Sequence, residues 1–95
     1  MTPEGKVKAL CKRVLTSHHV WFYMPVQNGM GVVGIPDFIC CWDGKFLAVE
    51  CKAPGKISST TPNQKNRIAE IKDHGGTAIV VDSALQLEKF LMERS

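Results

Sequence analysis

The chain is short of the features that usually place a protein. It has no apolar run long enough to cross a bilayer, so no membrane partner is expected. Its opening residues, through Pro3-Glu4-Gly5-Lys6, are polar and form no secretory h-region; a cytoplasmic location is the expectation. Its four cysteines, Cys11, Cys40, Cys41 and Cys51, make no C-x-x-C pair and stand at no zinc spacing from a histidine. They read as reduced and mostly buried small hydrophobes, and a zinc site is not expected. Gly29, Gly31 and Gly34 sit close together, but no Gly-Lys-Ser or Gly-Lys-Thr follows them, which excludes a phosphate-binding P-loop. Repeats, linkers and low-complexity segments are absent, so residues 1–95 read as one domain. Net charge is only +3, compatible with a nucleic-acid partner without demanding one.

What remains is an ordinary globular composition, 44% hydrophobic and 22% charged, able to bury a modest core that dimerisation would reinforce. Its most informative stretch runs from Gly34 to Lys52. Two aromatic and aliphatic runs flank Asp43-Gly44, a strong signal for a two-residue hairpin turn. With that turn, Trp42 faces Lys45 and Asp37 faces Glu50 as a non-hydrogen-bonded pair, with Cα atoms about 4.5 Å apart. Lys52 follows on the same face as Glu50. Facing like charges destabilise a strand pair, so something should compensate, and a hard divalent cation bound through carboxylates is the natural candidate. The plainer alternative makes both acids solvent-facing edge residues with Lys52 as a salt-bridge partner. A bulge would shift the register and remove the coincidence.

Pro36-Asp37 followed by Glu50-Cys51-Lys52 resembles the signature of the PD-(D/E)XK nucleases. Gly34-Ile35-Pro36-Asp37, Val49-Glu50-Cys51-Lys52 and a downstream helix carrying Gln64 resemble its VRR-NUC branch over about residues 1 to 82. The resemblance implies an α/β, restriction-endonuclease-like αβββαβ core, a mixed central sheet flanked by helices, with a C-terminal helix added. It implies Asp37, Glu50, Lys52 and Gln64 as catalytic residues. Asp37, Glu50 and the backbone carbonyl of Cys51 would bind Mg²⁺, with Mn²⁺ able to substitute. Glu4 is a further candidate ligand, since many relatives carry an acid on the first helix; a helix-dipole role explains it equally well.

The elements follow from local signals. Thr2 can cap a helix with Pro3 in its first turn, and Val7, Leu10, Cys11 and Val14 make its expected apolar stripe. His18 and His19 suit its C-terminal end without any function. Residues 20–26 read as a strand that Pro25 ends or confines to an edge. Residues 27–34 read as a flexible loop whose small residues would let a DNA backbone approach. Both hairpin faces are mainly apolar, which predicts a sheet covered on both sides. Thr61, Pro62 and Gln64 predict a capped second helix, on which Gln64, Ile68 and Ile71 share the sheet-facing stripe. Gly75-Gly76 should end it. Residues 77–81 read as a buried strand reached by a right-handed parallel crossover. Ser83 and Gln86 form a second capping box before an apolar side of Ala84, Leu87, Phe90 and Leu91.

Lys6, Lys8, Lys12 and Arg13 crowd the first helix, and Lys56, Lys65, Arg67 and Lys72 crowd the segment after the hairpin. Such runs are often plain solvated faces. Here they flank an acidic site, as a phosphodiesterase needs to hold a nucleic-acid backbone, and Lys6, Lys12, Arg13, Lys56, Lys65 and Arg67 are the candidate DNA contacts. The expected function is a Mg²⁺-dependent, structure-specific DNA endonuclease, resolvase-like and homodimeric, in a bacterial or phage-infected cell. The alternatives are a flap or single-strand nuclease and, from another class, a catalytically silent DNA-binding module.

Overall fold

The computed structural model describes residues 1–26 and 33–94. Of the loop expected over residues 27–34, all but Val33 and Gly34 lies outside the described residues.

Helix α1 spans Pro3–Ser17, with Thr2 as its cap accepting the Gly5 N–H at 3.0 Å and Pro in its first turn, where no N–H is needed. Its buried line is Val7, Cys11 and Leu15, at i, i+4 and i+8. Leu10, expected in the stripe, is half exposed. A single helix packed on one side buries a narrow arc, and Leu10 falls outside it. Strand β1 is only Trp21–Tyr23, shorter than expected. The Val20 N–H is taken by Leu15 O at the end of α1, and Pro25, which has no N–H, limits the strand's other end.

Strands β2 (Phe38–Trp42) and β3 (Lys45–Cys51) form the antiparallel hairpin. Asp43 and Gly44 both have positive φ, 51° and 74°, the requirement of a type I′ turn. Helix α2 (Pro62–Asp73) then leads to β4 (Thr77–Val81), which pairs parallel with β3. The sheet order is β1-β2-β3-β4, leaving β1 and β4 at the edges. Helix α3 (Ala84–Glu93) closes the chain on α1 and β4. Ser83 caps it, but the return half of the expected box goes elsewhere: Gln86 Oε1 accepts from the Asp82 N–H, which the end of β4 leaves free.

Phe38, Cys40, Leu47, Val49, Cys51 and Val81 point from one sheet face into a core completed by Val7, Cys11, Leu15, Leu87 and Leu91. Phe22 on Phe38 and Trp42 near Phe90 extend it with ring centroids 5.6 and 5.7 Å apart. The opposite face is not fully covered. Ala48 and Ala78 are buried there, and α2 packs on β4, but Trp21, Tyr23, Cys41 and Phe46 remain exposed. One short helix cannot cover four strands, and α2 itself has no fully buried residue.

Gly34 joins this frame to the site. Its φ is +80°, and a Cβ there would lie 2.5 Å from the Asn63 backbone carbon and 2.7 Å from the Gln64 nitrogen. The approach to Asp37 therefore runs directly against the first turn of α2. Gly34→Ala is expected to cost roughly 2–4 kcal/mol, combining left-handed strain and overpacking. Gly44→Ala is the control: it has a similar φ of +74° with nothing within 4 Å, and should cost only about 1–2 kcal/mol. Thermal or urea unfolding of the two variants separates these contributions; equal costs would show that the contact with α2 is not tight.

Candidate active site

The hairpin holds the register its turn dictates, from Trp42↔Lys45 out to Phe38↔Val49. One step further Asp37 comes opposite Glu50, but backbone pairing has stopped. The Asp37 carboxylate takes over: its Oδ2 accepts the Cys51 N–H at 2.8 Å. This fixes Asp37 to the backbone of β3 beside Glu50. Its other oxygen, Oδ1, lies 3.2 Å from Lys8 Nζ, reaching in from α1.

Glu50 is 3% exposed and Lys52 6%, in the middle of the molecule because β3 is a central strand. Their side chains share Gln64. The Gln64 amide nitrogen donates to Glu50 Oε2 at 2.9 Å, and Lys52 Nζ donates to Gln64 Oε1 at 2.8 Å. Lys52 Nζ is itself 3.6 Å from Glu50 Oε2. An amide has a donor end and an acceptor end, so it can hold a carboxylate and an ammonium at once. Gln64 also caps α2: its Oε1 accepts the Thr61 N–H at 2.9 Å, and its own N–H reaches Thr61 Oγ1 at 3.2 Å. The expected capping box is present, and it orients the Gln64 amide toward Glu50 and Lys52.

Burial raises the Glu50 carboxyl to about 7, helped by the Asp37 charge and opposed by Lys52. Its Oε1 is buried without a hydrogen-bond partner. A buried acceptor left unpaired is costly and calls for an explanation. A divalent cation supplies one: hard cations take carboxylate oxygens, and Mg²⁺ typically keeps several waters and substrate phosphate oxygens besides. Asp37 and Glu50 fit that donor chemistry. Among the described residues no three His, Cys, Asp or Glu side chains cluster closely enough to hold a metal, so the remaining donors would be main-chain, water or phosphate oxygens. Glu4 lies near enough for its charge to raise both Glu50 and Lys8.

Cys51 turns its side chain away from the acids. It lies in the core with Cys11 of α1, and that neighbouring thiol together with burial pushes Cys51 up. All four cysteines are free, and only Cys41 is exposed. The basic candidates are spread more widely. Lys6, Lys12, Arg13, Lys56 and Lys65 are exposed, whereas Arg67 pairs with Glu70 along α2 at 3.1 Å. Lys12 and Arg13 border a shallow depression with Ala9, Thr16 and Ser17 on α1. Sequence reasoning missed Lys8 as a site residue, counting it only among the basic residues of α1. Its spacing was a signal, four residues after Glu4 and three before buried Cys11.

A family model described as the VRR-NUC domain matches residues 4–85. A solved structure described as a VRR_NUC domain superposes with a TM-score of 0.81, covering 100% of both chains at 22% identity. No curated protein matches the chain.

The raised Glu50 carboxyl has a sign that can be checked. Its value of about 7 in the folded chain lies above the ordinary 4.5, so the folded state holds a proton that the unfolded state releases. That contribution is complete below about 4.5 and lost as pH rises through about 7. Metal-free protein should therefore lose stability, on the order of 3 kcal/mol, between pH 5 and 8. Glu50→Gln should flatten the profile. An unchanged slope in the variant, followed by thermal unfolding in EDTA, would assign the effect to another group.

Proposed function

The chain belongs to the VRR-NUC family, a branch of the PD-(D/E)XK nuclease superfamily, and from that premise we propose that it is a Mg²⁺-dependent, structure-specific DNA endonuclease that acts as a homodimer on four-way junctions. The observation that carries the reading is the unpartnered, buried Glu50 Oε1 beside Asp37, with Lys52 and Gln64 in contact with the same glutamate. Asp37, Glu50 and the main-chain carbonyl of Cys51 would hold the metal, with Mn²⁺ as a substitute and Glu4 as the acid for any second ion. Bound there, the metal would activate water and neutralise charge on the scissile phosphate.

The chain's own residues do the rest. The Cys51 N–H keeps Asp37 oriented, and Gln64 keeps Glu50 and Lys52 at fixed separation. Lys52 as an ammonium orients the attacking water and stabilises charge developing on the phosphate, and would deprotonate that water only after giving up its own proton. It is held before substrate arrives, so little reorganisation is needed. Lys6, Lys12, Arg13, Lys56, Lys65 and Arg67 supply the electrostatic grip on the DNA backbone. A silent DNA-binding module would have no need of a buried acid raised in pKa beside a second carboxylate.

Asp37→Ala or Glu50→Ala should abolish cleavage in Mg²⁺ while leaving a folded protein. Lys52→Ala should cost far more in turnover than in DNA affinity measured in Ca²⁺. Near-normal turnover in either acid variant would overturn the site. A large loss of affinity at an unchanged single-turnover rate would reduce Lys52 to a backbone contact.

The dimer reading is supported by exposed apolar surface that the core does not use. Trp21 is 62% exposed and Tyr23 50% on edge strand β1, and Leu85 is 66% exposed on α3. Paired cuts in a two-fold-symmetric junction suit a two-fold dimer. Sedimentation at assay concentration should give a dimer that cuts junctions in pairs. A monomer that cuts flaps well and junctions poorly would replace this with a flap nuclease.

A further inference from the structure

The two acids of the site are balanced by two ammonium groups of different character. Lys52 is buried and pinned by Gln64, so it is part of the frame. Lys8 comes from α1, its side chain is 34% exposed, and its Nζ sits 3.2 Å from Asp37 Oδ1. The Lys8 ammonium is thus in direct ion-pair contact with one of the two carboxylates that the metal would use.

We infer that Lys8 is an exchangeable counter-ion: it neutralises Asp37 in the metal-free protein, competes with the divalent cation for Asp37 Oδ1, and is expelled when the cation binds. The inference rests on the metal-dependent reading of the site. Two cations cannot share one carboxylate oxygen in a partly buried site without strong repulsion. Asp37 need not move in the exchange, because its Oδ2 is independently held by the Cys51 N–H. Glu50 offers its free Oε1 in either state. The long, partly exposed stem of Lys8 is the element able to leave. Lys8 is thus a positioning residue: it prevents Asp37 and Glu50 from repelling each other while the site waits, and it sets how much cation is needed to load it.

This role predicts an effect opposite to that of a merely structural lysine. Losing a structural contact would loosen the site and weaken metal binding. Removing a competing cation should tighten it. Mn²⁺ binding is measured by calorimetry without DNA, on wild type, Lys8→Met, which keeps the stem, Lys8→Arg, which keeps the charge, and Asp37→Asn. Lys8→Met is expected to bind Mn²⁺ about three- to tenfold more tightly and to melt lower than wild type in EDTA, with the deficit recovered in Mn²⁺. Lys8→Arg should resemble wild type. Unchanged or weaker binding by Lys8→Met overturns the inference and leaves the nuclease reading standing. Equal Mn²⁺ binding by wild type and Asp37→Asn overturns the metal site itself. A measurement on wild type alone guards against a variant that does not fold. Acetylation of Lys8 by an amine-reactive ester, followed by mass spectrometry, should be several-fold faster in saturating Mn²⁺ than in EDTA. Equal rates would show that Lys8 is not released.

Discussion

The Asp43-Gly44 turn sets the relations that the site depends on. Side chains alternate along a strand, so a one-residue slip would send Glu50 into the apolar core and Cys51 into the site. Positive φ at both turn residues fixes a two-residue loop, and the ladder carries that choice from Trp42↔Lys45 to Phe38↔Val49. The last link is a side chain: Asp37 takes the Cys51 N–H in place of a backbone partner. The register thus ends by anchoring the acid whose position it determined.

Burial makes this arrangement chemically useful and electrostatically demanding. Glu50 sits on a central strand at 3% exposure, where an uncompensated charge is poorly tolerated. The protein meets the demand from three places: Lys52 just past the end of β3, Gln64 from the first turn of α2, and Lys8 from α1. None of these alone satisfies both acids, and one oxygen is still left over. That leftover acceptor is the one a divalent cation would complete on the proposed reading of the site.

Much of this was legible in the sequence, because it is written in local rules. The turn, the caps at Thr2, Thr61 and Ser83, the parallel fourth strand and the sheet-facing direction of Gln64 all follow from residue type and spacing. What escaped depends on how elements meet. Leu10 and Leu15 are equally apolar, but the face that α1 turns to the core buries only the second. Lys8 resembles its neighbours Lys6 and Lys12 until the end of the sheet is placed beside it. The open sheet face over β1 and β2 was likewise hidden. Alternation reveals that both faces are apolar, not how far a single helix extends across one of them. Three strand residues rather than seven at β1 reflect the proline and the α1 junction acting together.

Gly34 links parts of the molecule that are distant in sequence. Its backbone lies against Asn63 and Gln64 with no room for even a methyl group, and three residues later the same chain delivers Asp37. The segment entering β2 and the start of α2 therefore behave as one lever with two arms, one ending in the acid and the other in the amide that steadies Lys52. Any force on the entering segment is divided between the two arms. Displacement of Asp37 and misalignment of Lys52 are then a single mechanical event.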